Sequence, residues 1–121
     1  MLFRSIYETY VGSKKFEGDD PLFPVLRKLG AEYGATTGRP RQCNWINIDD
    51  LIKAAQINGV TDLIINKVDI LQALGVWKGY VNNRLVEFDD KEHMFCTIVN
   101  ALPDVRLQWS DSPVGIGKLF D

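Results

Sequence analysis

Little in this sequence is arranged for metal binding, redox chemistry or crossing a membrane. Its 121 residues include two cysteines, Cys43 and Cys96, and one histidine, His93. The cysteines form no C-x-x-C pair and share no metal-ligand spacing with His93, so the expectation is two reduced thiols and no metal site. No apolar run approaches the roughly 20 residues that a membrane helix needs. The opening MLFRSIYETY lacks the apolar stretch of a secretory signal, and the expected location is the cytoplasm. Neither sign of charge dominates: 14 basic residues stand against 16 acidic ones, for a net charge of −2. That balance provides no basic field for a nucleic acid, although a bound nucleotide needs only a few local cations. The phosphate cradle GxxxxGK[ST] is missing, as are internal repeats and low-complexity tracts.

What is present suits an ordinary globular domain. Hydrophobic residues make up 45% and charged residues 25%, and a chain this long can bury about two-thirds of its unfolded surface. Strands are expected at Phe3 to Val11, Val60 to Ile65, Val76 to Val81 and Arg84 to Phe88, the last two joined at Asn82-Asn83. Val105, Leu107 and Trp109 alternate with polar residues and predict a further half-buried strand. Helices are expected at Pro21 to Leu29, after Asn47, and after Asp89-Asp90. In the second, Ile48, Leu51, Ile52 and Ala55 share one face, with Asp49 and Asp50 at its positive end. In the third the face is Met94, Phe95, Ile98, Val99 and Leu102, and His93 is read as a surface residue. Alternating strands and helices predict an α/β fold: a single small domain over residues 1–121, with a mixed sheet and flanking helices.

Two segments carry chemistry. Asn66-Lys67-Val68-Asp69 follows a buried strand, where ligands of open α/β sheets sit. Guanine presents two N–H donors side by side, and one carboxylate, that of Asp69, can accept both. Adenine has no such donor pair and would leave the charge unpaired. The Lys67 stem can cover the base while its ammonium stays near polar atoms. The same four residues also suit a plain solvated strand-to-turn junction.

The second segment, Gly34 to Arg41, reads GATTGRPR and lacks apolar periodicity. Gly34 and Gly38 permit close approach of the backbone to a ligand. Thr36 and Thr37 offer hydroxyls, and Arg39 and Arg41 offer forked donors that match carboxylate or phosphate oxygens. An exposed basic loop built from routine turn residues is the competing reading.

Together these segments resemble the adenylosuccinate synthetase family, in its C-terminal portion. The resemblance rests on Tyr10-Val11-Gly12, on Ala31-Glu32-Tyr33 followed by GATTGRPR and Trp45, on Ile57-Asn58-Gly59-Val60-Thr61, and on Asn66-Lys67-Val68-Asp69-Ile70-Leu71. It weakens between Gly75 and Arg106. The family joins IMP to L-aspartate at the expense of GTP. The resemblance implies that Ala35, Thr36, Thr37, Gly38, Arg39 and Arg41 serve aspartate and IMP. It implies that Arg41, Lys67, Val68, Asp69, Ser110, Asp111 and Ser112 serve GTP. Ser112 stands where the family usually has Gly. Short and viral forms fall within the resemblance, some acting on altered purines, and the purine substrate stays open.

The family's GDEGKG stretch, its catalytic aspartate and its catalytic histidine have no counterpart here, so no catalytic residue is assigned. Magnesium belongs to the family, but its ligands are not expected in this chain. Three readings remain. The chain could be the aspartate- and GTP-recognising part of a synthetase, inactive alone, completed by an N-terminal half and homodimeric as the family commonly is. It could be a non-catalytic guanine-nucleotide-binding module. It could be an interaction protein that engages a full-length synthetase. No nucleic acid or membrane partner is expected. The first reading calls for an exposed apolar patch, with Phe3, Tyr7, Trp77 and Phe120 as candidates.

Overall fold

The computed structural model describes residues 2–10, 15, 17, 20–33, 38–110 and 118–119. The elements run β1 (Leu2–Ser5), β2 (Tyr7–Tyr10), α1 (Phe23–Leu29), β3 (Gln42–Asn47), α2 (Ile48–Ile57), β4 (Asp62–Asn66), α3 (Val68–Leu74), β5 (Trp77–Val81), β6 (Arg84–Phe88), α4 (Lys91–Ala101), β7 (Arg106–Trp109) and β8 (Lys118–Leu119). The fold is α/β, and its strands form two four-stranded sheets, ordered β1-β4-β7-β8 and β2-β3-β5-β6. Both are mixed: β1, β4 and β7 run parallel and β8 antiparallel, while β3 and β5 are the parallel pair of the second sheet.

The expected strand from Phe3 to Val11 is broken at Ile6. Leu2–Ser5 belongs to one sheet and Tyr7–Tyr10 to the other, and Val11 lies outside the described residues. Ile6 is buried, and its N–H donates to the Asn66 carbonyl (3.1 Å), so the chain changes sheets without orphaning a backbone donor. Residue composition cannot report such a crossing, because Ile6, where it occurs, is itself a strand former.

The helix ends follow local chemistry. The Asn47 side chain accepts from the Asp50 N–H (3.1 Å) and caps α2, and Asp90 accepts from the His93 N–H (2.8 Å) and caps α4. Asp49 has a further role. Its two oxygens accept from the N–H groups of Asn82 and Asn83 (3.0 and 3.1 Å), which ties the β5–β6 turn to α2. Both turn asparagines have positive φ (53° and 64°), as a two-residue hairpin of matching twist requires.

Three elements differ from the expectation: β3, α3 and the short β8. In β3, Cys43 and Trp45 are buried and alternate with half-buried Gln42 and Asn44; this period-2 signal sits directly after the basic loop. In α3, Val68 and Leu71 are buried one turn apart and Gly75 closes the helix with φ 77°; the expectation here is a motif following a strand, with no helix. The core gathers Tyr7, Phe23, Trp45, Leu63, Ile65 and Phe95, all at most 1% exposed. Of the candidate patch residues, Tyr7 and Trp77 are therefore core, Phe3 is 58% exposed, and Phe120 lies outside the described residues.

Candidate functional site

The parallel trio places three chain segments side by side at its carboxyl end. Ser5 of β1 is in register with Asn66 of β4, and Ile65 is in register with Trp109 of β7. The next residues along, Ile6, Lys67 and Ser110, therefore emerge together. Ser110 is 7% exposed; its N–H donates to the Ile65 carbonyl (2.9 Å) and its carbonyl accepts from the Val68 N–H (3.2 Å). Ser110, remote in sequence, thus joins the consecutive Lys67, Val68 and Asp69 beyond the strand ends, where ligands of such sheets bind.

Lys67 takes up the left-handed region (φ 62°, ψ 24°) between β4 and α3. A side chain there costs about 1 kcal/mol or more, so other contacts must hold it. They are present. Lys67 Nζ lies 2.5 Å from Glu32 Oε1 and over the Tyr7 ring, 5.3 Å from its centroid. Asp69 lies in the first turn of α3, half-buried, and among the described residues no donor rests on its carboxylate. The position also favours a negative charge through the helix dipole, which is the bland account of Asp69. Asn66 Oδ1, at the end of β4, is buried and has no donor among the described residues.

Glu32 is the centre of the site, and it was not singled out as a site residue in the sequence. It is 1% exposed. Its Oε1 accepts from the Tyr7 hydroxyl (2.7 Å) and from Lys67, and its Oε2 lies 3.2 Å from Arg41 Nη1. Burial pushes its pKa up, but the bonds and charge of Lys67, Tyr7 and Arg41 outweigh this and hold it below the ordinary carboxylate value. Burial, then the bond to Glu32 and its charge, raises the Tyr7 phenol, which stays protonated and donates. Gly30 makes room for the pair: a Cβ there would run into the Tyr7 hydroxyl and come within 3.3 Å of the Glu32 side chain. The hint in the sequence was an acid in the short stretch between two cationic segments.

The basic loop begins at the same place. The Arg41 N–H donates to the Glu32 carbonyl (2.9 Å), and Tyr33 and Pro40 form an antiparallel bridge, so the two ends of the loop meet. Gly38 has φ 68°, in keeping with the freedom expected of it, and Arg39 is exposed. Arg41 is half-buried; its carbonyl accepts from Arg27 Nε (2.7 Å), and its own Nε is buried with no acceptor among the described residues. Gly34, Ala35, Thr36, Thr37, Asp111 and Ser112 lie outside the described residues. Of the expected site residues, Arg41, Lys67, Val68 and Ser110 are brought together, Asp69 adjoins them, and Gly38 and Arg39 sit on the loop beyond Arg41.

Other groups stay apart. His93 is on α4, its side chain about half exposed, accepting from the Asp89 N–H (3.3 Å). Cys43 is buried and Cys96 exposed, both free thiols. Among the described residues, no three His, Cys, Asp or Glu side chains gather closely enough to hold a metal ion. Among those residues, no helix is long and apolar enough to cross a membrane.

A small α/β domain with basic and acidic groups gathered beyond parallel strand ends places them where ligands of open α/β sheets sit. The particular family follows from comparison. The profile of the adenylosuccinate synthetase family matches residues 4–99. The adenylosuccinate synthetase of Thermodesulfovibrio yellowstonii is 40% identical over 116 residues, covering 91% of this chain and 27% of that protein. That of Xylella fastidiosa is 47% identical over 70 residues, covering 56% of this chain and 16% of its own length. The solved structure of fully ligated adenylosuccinate synthetase from Plasmodium falciparum shares the fold, with a TM-score of 0.70 at 21% identity over 90% of this chain and 36% of that one. The chain belongs to the adenylosuccinate synthetase family. It spans little more than a quarter of the length of its Thermodesulfovibrio relative.

Proposed function

We propose that this chain is the part of an adenylosuccinate synthetase that recognises GTP and L-aspartate, and that it binds without catalysing the reaction alone. In the whole enzyme IMP and aspartate are joined as GTP is spent. The observation that carries the reading is the convergence of Lys67, Asp69 and Ser110 beyond β4 and β7, with the Asp69 carboxylate free of donors among the described residues. Asp69 accepts the paired N–H donors of guanine. The Lys67 stem lies along the base with its ammonium held at Glu32. The backbone of Val68 and Ser110 closes the rim, and the family resemblance gives Asp111 and Ser112 to GTP as well. On the loop, Thr36 and Thr37 with Arg39 meet aspartate and the IMP ribose, and Arg41 stands between the acid and the nucleotide.

Phosphoryl transfer depends on anchored phosphates and placed cations. The sequence has no GxxxxGK[ST] cradle, and magnesium has no cluster of ligands among the described residues. The phosphate-binding and catalytic groups fall to polypeptide corresponding to the part of the relatives that this chain does not cover. A cytoplasmic location and assembly as a homodimer, or with an N-terminal half, complete the proposal.

A non-catalytic binding or interaction module is the second reading. What favours it is that Glu32 finds its charge partners, Lys67 and Arg41, within the chain itself. Calorimetric titration of the chain with GTP, ATP and IMP, repeated with Asp69→Ala, tests the proposal. Heat with GTP alone that disappears in the variant supports guanine recognition. Equal heat with ATP and GTP, or none with any nucleotide, removes it and leaves the interaction reading.

A further inference from the structure

Two cationic groups from separate segments of the proposed site share one buried acid. Lys67 belongs to the turn after β4 and Arg41 to the end of the basic loop, yet both meet the carboxylate of Glu32, on opposite oxygens. Glu32 lies between them on the segment after α1 and is 1% exposed. Its backbone is fixed on both sides, its N–H donating to the Arg27 carbonyl (2.9 Å) and its carbonyl accepting from the Arg41 N–H (2.9 Å). Its side chain is fixed by the Tyr7 hydroxyl on β2 (2.7 Å) and by the close approach that Gly30 permits. A carboxylate immobilised in this way makes a rigid reference point.

We infer that Glu32 is a positioning residue that sets Lys67 and Arg41 for their ligands, joining the guanine-reading turn to the basic loop through one carboxylate. The inference rests on the proposed guanine site for its functional consequence, but not for its structural one. Lys67 is in a backbone conformation that a lysine adopts at a cost, and its long side chain has several rotatable bonds to restrain. Anchoring the ammonium at Glu32 removes much of that freedom and leaves the stem, with the side chain 39% exposed, open to a base. Arg41 is treated alike: one nitrogen rests on Glu32 Oε2, and the carbonyl is held by Arg27 Nε (2.7 Å). The guanidinium is thereby oriented before any acid arrives. Preorganisation of this kind reduces what a ligand must spend on ordering its site.

Two measurements separate this role from general structural support. The first needs no nucleotide: the Glu32 side-chain carboxyl is titrated by carbon-13 NMR in the wild type and in Lys67→Met. Methionine keeps an apolar stem and removes the ammonium, so the Glu32 pKa should rise in the variant. An unchanged pKa overturns the inference. The second is a double-mutant cycle on GTP affinity with Glu32→Gln and Lys67→Met. Glu32→Gln should weaken GTP binding by about tenfold, the scale of a lost charged hydrogen bond. In the Lys67→Met background the same substitution should change affinity by less than about twofold, because its route is gone. An equal loss in both backgrounds means that Glu32 acts on the fold at large, and overturns the inference. If Glu32→Gln does not fold, the titration decides alone, since Lys67→Met leaves Glu32 in place. If the wild type binds no GTP, the guanine reading fails, and the carboxyl titration still decides whether Glu32 is the group that holds Lys67.

Discussion

Lys67 Nζ stands 2.5 Å from Oε1 of Glu32, a residue 35 positions earlier, and this contact ties the turn after β4 to the segment after α1. The turn at Lys67 and the Arg41 end of the basic loop therefore meet at one carboxylate. Their meeting depends on tertiary structure: the carboxyl end of a central parallel strand, a helix C-terminus and the base of a loop must all arrive together.

The tight seat of Glu32 predicts the effect of Gly30→Ala. The new methyl group would strike the Tyr7 hydroxyl and crowd the Glu32 side chain. Overpacking of this kind costs about 1–3 kcal/mol. Urea denaturation should show a lower midpoint with an unchanged slope, and wild-type stability would contradict the packing described.

Acid should weaken the molecule through the same residue. The pKa of Glu32 is lowered in the folded state, so the folded protein holds that proton less tightly than the unfolded chain. Its contribution is complete above the ordinary glutamate value of about 4.3 and is lost as pH falls through the depressed folded value. Glu8 works the other way: burial raises its pKa, so its contribution is present at low pH and lost as pH rises through the raised value. In thermal unfolding between pH 3 and pH 7, Glu32→Gln should flatten the rise in stability with pH, and Glu8→Gln should steepen it. Parallel profiles for both variants would show that neither shift exists.

The thiols should behave differently from one another. Burial pushes the Cys43 thiol up to about 11, so at pH 8 almost none of it is thiolate, the reactive form. Cys96 is exposed on α4. Brief treatment of the native protein with iodoacetamide should give one adduct by mass spectrometry, on Cys96. Rapid labelling of Cys43 would mean that β3 opens more readily than its buried position indicates.

How much of this was legible beforehand varied with the range of the interaction responsible. The capped helices α2 and α4 and the β5–β6 hairpin were readable because Asn47, Asp90 and the Asn82-Asn83 pair act on neighbours within a few residues. The α/β class followed from the alternation of such local elements. The change of sheets at Ile6 was not readable, because it is set by a hydrogen bond to Asn66, far along the chain. The helix α3 was hidden by its opening residues: Lys67 has no capping side chain and takes a left-handed conformation, while Asp69 was read for its carboxylate. At the proposed site, residue types pointed to Arg41, Lys67 and Asp69. Glu32, which organises them, carries no local pattern of its own; its importance comes from burial and from partners on β2, the loop end and the β4–α3 turn.

The most direct test of the central claim, that Asp69 reads guanine, is to invert its preference. Xanthine has a carbonyl where guanine has its exocyclic amine, so the Asp69 carboxylate repels it and an amide in the same place can donate to it. The dissociation constants of GTP and xanthosine triphosphate are measured by calorimetry for the wild type and for Asp69→Asn. The account predicts that the wild type prefers GTP by at least about tenfold and that Asp69→Asn reverses the order, each matched pair being worth roughly 1.5–3 kcal/mol. The same order of affinities in both proteins, or no dependence on the base, would contradict it.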